Sequence, residues 1–272
     1  MIETPVGPVR VYDSASDKPC VVFVPDGPNV IEHYDRLIEL LTPHARVVCF
    51  DMPGFGHSLP SPTYGHSLNQ GAAAVLGVLD RLHIKSAILG FSCANGFYAL
   101  RAAQIAPDRI LHLVLSQTPS LNAMHRWVDR IVPRPLKTPV IGQIIGWLFQ
   151  RKAANSWYNV ALPKTTHAKS FQDKALNAIS NGGCFCLAGI VQGLCREQEE
   201  SLSNATTPLT VVWGAKDRSH RSTDSNSLCN SAPHAEVVQF QDCGHFPDIE
   251  QPERYAAIIL EIIETTENNR PA

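Results

Sequence analysis

The chain has 272 residues, 44% of them apolar and 18% charged, with 20 Pro and 17 Gly, a composition that excludes bulk disorder. Its 23 Lys+Arg against 25 Asp+Glu leave a formal charge of −2, and no long run of like charge offers an electrostatic footprint to nucleic acid or an acidic membrane. No apolar stretch approaches the ~18 to 20 residues of a membrane-spanning helix, and Met1-Ile2-Glu3-Thr4-Pro5 lacks the basic and apolar regions of a signal peptide, so a soluble, cytoplasmic protein is expected.

Taken in chain order, Pro5 and Gly7 between extended pieces suggest a short N-terminal edge hairpin. Short β-branched runs then alternate with amphipathic stretches. Strands are expected at Cys20–Val24, Arg46–Phe50, Ala87–Leu89 and Leu111–Leu115, and helices at His33–Leu41, Ser67–Leu82 and Asn95–Ile105. Asn29 with Glu32 three residues on has the form of a capping box. Strands apolar on both faces, alternating with helices, require a mostly parallel sheet joined by right-handed crossovers. The rhythm breaks between Leu115 and Leu209, where Trp127, Trp147, Phe149 and Trp157 are scattered among the prolines at 133, 135, 139 and 163; several short helices inserted in the sheet domain are expected. It resumes with a strand at Leu209–Trp213, a helix around Ser222–Cys229, a strand at Glu236–Phe240 and a helix at Glu253–Ile263, followed by a polar tail from Thr265 to Ala272 that should fray. Of the eight cysteines, Cys20 and Cys49 lie inside apolar runs and read as reduced, buried small hydrophobes. Cys184 and Cys186 form a C-x-C without a second ligand cluster, so no metal is expected there.

The strand at Ala87–Leu89 runs through Gly90-Phe91-Ser92-Cys93-Ala94-Asn95-Gly96 directly into a helix, the context of a nucleophile elbow. Small residues two positions either side of the nucleophile let the strand and helix backbones approach, and Gly90 and Ala94 centre that pattern on Ser92. Centring on Cys93 would place Phe91 and Asn95 at the flanks, which are bulky, so Ser92 is the expected nucleophile. Asp51-Met52-Pro53-Gly54-Phe55-Gly56-His57-Ser58, Trp213-Gly214-Ala215-Lys216-Asp217-Arg218 and Cys243-Gly244-His245-Phe246-Pro247 follow the same order as three further motifs of a known family. With the elbow they make the chain resemble the α/β-hydrolase superfamily, of the kind with a helical cap. The resemblance implies a core of residues 1–118 and 206–272 with a helical cap at 119–205.

A serine needs an imidazole to take its proton, and the imidazole needs a carboxylate to fix its tautomer. Ser92 as nucleophile, His245 as general base and acid, and Asp217 as orienter are the expected triad, in the order that this fold uses. The oxyanion should be met by the backbone N–H groups of Cys93 and Gly27, the latter because aligning Pro28 with the family's loop proline leaves Gly27 as donor. Asp26 stands where the family usually has glycine; directed inward it would repel the anion and contact substrate, directed outward it would stabilise its turn. His33 and His57 are expected to be structural or solvated, and Asp51 to close its own glycine-rich turn. Trp127, Trp147 and Trp157 should contribute to an apolar ceiling that contacts an acyl or aryl substrate. The implied activity is cofactor-independent hydrolysis of a small or medium apolar ester, thioester or lactone by way of an acyl-enzyme. C–C bond hydrolysis, a lyase or haloperoxidase-like reaction with the same triad, and a non-catalytic ligand receptor are the alternatives, and the oligomeric state is open.

Overall fold

The computed structural model describes residues 1–203 and 206–268. Eleven strands form among them: β1 (Ile2–Thr4), β2 (Gly7–Val9), β3 (Val11–Asp13), β4 (Cys20–Val24), β5 (Arg46–Phe50), β6 (Phe55–Gly56), β7 (Ala87–Ser92), β8 (Ile110–Ser116), β9 (Cys184–Phe185), β10 (Leu209–Gly214) and β11 (Glu236–Phe240). Seven make the central sheet in the order β11-β10-β8-β7-β4-β5-β3. Every pairing in it is parallel except that of edge strand β3 with β5.

The residues of β4, β7 and β10 are buried along their whole length, as an all-apolar strand in a doubly covered sheet must be. Period-2 alternation divides them between two cores. Val22, Leu89 and Leu113 pack under the helices Leu68–Arg81 and Gly96–Ile105, while Val21, Ile88 and Val114 pack under Asp35–Leu41 and Pro252–Asn268. The chain runs outward from β4 to β5, then returns to the other side of β4 and continues to β7, β8, β10 and β11. The carboxyl ends of β4 and β7 therefore flank the switch point, where open α/β sheets form their ligand crevice.

Between β8 and β10 the chain forms the helices Leu121–Ile131, Arg134–Lys137, Ile141–Ala161, Lys169–Ser180 and Leu187–Leu194, a short 3-10 turn at Glu199–Leu202, and β9, which pairs antiparallel with β6 of the glycine-rich loop. The end of the expected cap, residues 204 and 205, falls outside the described residues. No described helix is long and apolar enough to cross a membrane.

Local expectations fail in identifiable ways. Around Ser222–Cys229 only a 3-10 turn, Ser227–Asn230, forms, because side chains such as Asp224, which accepts the Asn226 N–H at 2.9 Å, satisfy backbone groups that a helix would use. The capping pair before Asp35 is Val30 with His33, whose Nδ1 accepts the Val30 N–H at 3.0 Å. Glu32 instead pairs with Arg10, and Asn29 accepts the Tyr158 hydroxyl at 2.8 Å. The expected N-terminal hairpin does form, β1 pairing antiparallel with β2, but as a two-stranded sheet of its own. The last helix continues through Thr265 to Asn268, with the Thr265 and Thr266 hydroxyls bonded to carbonyls one turn back; residues 269–272 of the expected tail lie outside the described residues.

Candidate active site

At the end of β7 the alternation of the strand separates the two adjacent nucleophiles. Ser92 shares its parity with Ile88 and Gly90 and is 1% exposed. Its Oγ donates to Asp248 Oδ2 at 2.5 Å and lies 3.3 Å from the Tyr34 hydroxyl, which itself donates to Asp248. No hydrogen bond joins Ser92 to His245, and Ser92 is not among the residues that line the cavity beside the elbow. Cys93 turns the chain with φ of +50°, a left-handed conformation costly for a side-chain-bearing residue. It leads through the 3-10 turn Cys93–Asn95 into the helix Gly96–Ile105, and its side chain lines the cavity. The turn thus falls on Cys93, not on the expected Ser92, and Ala94 is the residue that follows it.

The flanking residues explain the shift. A Cβ on Gly90 would lie 2.5 Å from the Phe23 ring, so this glycine serves the packing of β7 against Phe23. A Cβ on Gly96 would lie 2.3 Å from Thr118 Oγ1, so the close approach of helix to sheet occurs three residues after Cys93. The bulky neighbours have places of their own. Phe91 is fully buried, edge-on to Phe50 at 6.1 Å, and Asn95 Nδ2 donates to Pro25 O at 2.9 Å, tying the elbow to the loop after β4.

His245 and Asp217, from the loops after β11 and β10, meet with Nδ1 to Oδ2 at 2.6 Å. The Asp217 carboxylate also accepts from Gln117 Nε2 at 2.8 Å, from the Ser219 N–H at 2.7 Å and from the Ser219 hydroxyl at 2.7 Å. Burial pushes this carboxyl upward, but His245 above all, with His220 and the Ser219 hydroxyl, outweighs it and holds Asp217 well below the usual carboxylate range. The histidine loop is clamped by Glu250, which accepts the Gly244 and Phe246 N–H groups at 2.9 Å each, while the His245 N–H donates to Ala161 O at 3.0 Å. Burial opposes the charged form of His245, yet Asp217, Cys93 and Asp26 raise it well above an ordinary histidine.

Asp26 departs from its outward reading. It is 7% exposed, and its Oδ2 lies 3.3 Å from His245 Nε2, near enough for attraction but without hydrogen-bond geometry. Nε2 consequently has no hydrogen-bond partner among the described residues. Burial raises Asp26 above the ordinary carboxylate value. Burial also pushes the Cys93 thiol up to about 11, with Asp26 adding to the shift and His245 opposing it.

The cavity over Cys93 measures about 340 Å³ and is lined by Asp26, Gly27 and Ala94 at its floor and by Met124, Trp127 and Trp157 from the inserted helices. Trp157 stands edge-on to His245 at 5.2 Å and edge-on to Trp127 at 5.7 Å. Trp147 is corrected: it is 69% exposed and borders a separate hollow with Tyr64, His66 and Cys186. Sequence reasoning missed His220, which stacks between Trp127 at 5.1 Å and His245 at 5.3 Å, with Nδ1 3.1 Å from Thr223 Oγ1. Burial pushes it down to about 3, so the ring is neutral near pH 7. Its only signal in the sequence is a position three residues beyond Asp217. His33 is buried against Phe171 O at 3.0 Å, and Asp51 closes its turn on the Ile31 and His57 N–H groups at 3.2 Å each.

Residues 19–252 match the alpha/beta hydrolase fold family. The chain belongs to that family. Zearalenone hydrolase of Bionectria ochroleuca is 34% identical over 124 residues, 44% of this chain and 47% of that protein, so the match spans about half the length of this relative. The 2-hydroxy-6-oxononadienedioate/2-hydroxy-6-oxononatrienedioate hydrolase of Burkholderia vietnamiensis is 26% identical over 226 residues, covering 80% of this chain and 76% of that protein. Among solved structures, a thermophilic esterase from Thermogutta terrifontis superposes with a TM-score of 0.74 at 20% identity, covering 97% of each chain. Epoxide hydrolase A from Mycobacterium thermoresistibile reaches 0.78 at 14% identity over 94% of each. These two share the fold. The family match gives the fold, and both of these curated relatives are themselves hydrolases.

Proposed function

We propose that the chain is a cysteine-dependent hydrolase of small or medium apolar esters, thioesters or lactones, with Cys93 as nucleophile, His245 as general base and acid, and Asp217 as orienter. The observation that carries this reading is the orientation of the elbow: Cys93, not Ser92, lines the cavity beside His245. The thiol proton passes to His245 Nε2 as sulfur attacks the carbonyl, and Asp217 stabilises the imidazolium that forms. The Gly27 and Ala94 N–H groups meet the oxyanion. His245 then returns the proton to the leaving group, and water, activated by the same imidazole, cleaves the thioester.

With burial holding the thiol protonated, sulfur is activated by proton transfer to His245 during attack, from the form of the site in which the imidazole is neutral. The inserted helices act as a cap whose Met124, Trp127 and Trp157 favour an apolar acyl or aryl group. Relatives that hydrolyse 2-hydroxy-6-oxononadienedioate support a second reading, C–C bond hydrolysis at the same residues. The test is peptide mapping after reaction with iodoacetamide and, separately, a fluorophosphonate. Carbamidomethylation of Cys93 that abolishes ester turnover supports the proposal, and fluorophosphonate capture on Ser92 with activity lost overturns it. A panel of nitrophenyl esters, thioesters, lactones and a vinylogous 1,5-diketone decides the substrate class.

A further inference from the structure

Beside the elbow, one thiol and two imidazoles converge from three loops. Ligand atoms of Cys93, His220 and His245, all in buried residues, lie within 4.8 Å of one another. The Nδ1 of each ring is already engaged, that of His245 by Asp217 at 2.6 Å and that of His220 by Thr223 Oγ1 at 3.1 Å. The Nε2 atoms of both rings are buried with no hydrogen-bond partner among the described residues. A carboxylate or hydroxyl on the far nitrogen is how proteins orient a histidine toward a metal, fixing the tautomer with its lone pair at Nε2. The Trp127 face against His220 and the Trp157 edge against His245 hold both rings in place.

We propose that Cys93, His220 and His245 form a chelating site for a soft divalent cation of the zinc type, which silences the nucleophile by taking its sulfur. One thiol and two imidazoles suit zinc, whose tetrahedral sites accept sulfur and nitrogen and leave a fourth position. Asp26, with Oδ2 3.3 Å from His245 Nε2, stands next to that position. A tetrahedral ion would draw its ligands to about 3.3–3.8 Å from one another, so closing from 4.8 Å takes movements of about an ångström. On binding, the Cys93 S–H bond breaks and sulfur donates its pair to the cation; an imidazolium at His245 likewise gives up its Nε2 proton so that the nitrogen can ligate, and both protons leave to solvent. The consequence for turnover rests on the proposed role of Cys93; the binding itself rests only on where the three side chains stand.

The test uses the full, reduced chain carrying Cys184→Ser and Cys186→Ser, which removes a pair of neighbouring thiols away from the elbow. Titration with Co²⁺ should give tetrahedral ligand-field bands and a sulfur-to-cobalt charge-transfer band at one ion per chain, lost in Cys93→Ser. Zn²⁺ should displace the Co²⁺. His220→Phe, which keeps a ring against Trp127, and His220→Gln as a second variant should each weaken Zn²⁺ by at least about tenfold, the lower end of what loss of an orienting partner alone costs. Nitrophenyl ester hydrolysis in the parent should fall in step with Zn²⁺ occupancy and return on chelation. A missing charge-transfer band, or an affinity unchanged in both His220 variants, would overturn the proposal and mean an adventitious ion only. Continued alkylation of Cys93 by iodoacetamide in such a case leaves the hydrolase reading intact, so the two fail separately.

Discussion

Replacing each member of the Ser92–Cys93 pair separates two roles that sequence proximity confuses. Ser92→Ala removes a hydroxyl whose hydrogen goes to Asp248 Oδ2 at 2.5 Å, inside a fully buried group where Tyr34 is the other donor. The loss leaves a buried carboxyl with one donor fewer, a cost of about 2 kcal/mol. For a chain of this size that lowers Tm by roughly 4–8 °C, while kcat, measured well below the transition, should stay within about threefold of the parent because the reacting atoms are untouched. Cys93→Ala keeps the Ala94 and Gly27 amides and the cavity but removes the sulfur, so kcat should fall by at least about three orders of magnitude, with part of the oxyanion and binding contribution surviving. Steady-state hydrolysis of short-chain nitrophenyl esters gives the rates, and thermal unfolding followed by circular dichroism gives Tm. A folded Ser92→Ala protein without turnover, beside an active Cys93→Ala protein, would refute the orientation of the elbow.

Further expectations concern the electrostatics and packing of the same site. Since Asp217 and Asp26 stabilise the protonated imidazole, the acid limb of kcat/KM should lie above the ordinary histidine value of 6.5. The sign follows from proton balance: the working Cys93–His245 pair has lost one proton, groups that favour imidazolium delay that loss to higher pH, and Asp26→Asn should move the limb to lower pH. A limb unmoved in a pH-rate profile of that variant would separate Asp26 from the titration of His245. Asp217→Asn should lower kcat by roughly 10²–10⁴-fold through loss of the correct tautomer, readable in single-turnover experiments. Gly96→Ala drives a methyl to 2.3 Å from Thr118 Oγ1 and should destabilise by about 1–3 kcal/mol, seen as a lower urea midpoint; an unchanged midpoint would show that helix and sheet can separate there without cost.

From residue order alone, the parallel sheet, its flanking helices and the inserted helices between β8 and β10 were legible, because burial on both faces makes strands such as Val21–Val24 uniformly apolar and helices periodic. The pairing of Asp217 with His245 was legible too, since both sit in short loops directly after sheet strands. What the tertiary structure alone decided is which way neighbouring side chains point. Gly90 is small because of Phe23, and Gly96 because of Thr118, contacts from distant parts of the chain, and they set the turn on Cys93 instead of Ser92. Asp26 faces His245, His220 lies between Trp127 and His245, and Trp147 faces away from the cavity. Each depends on contacts between segments far apart in the chain, and one residue of register in a strand reverses the face on which a side chain stands.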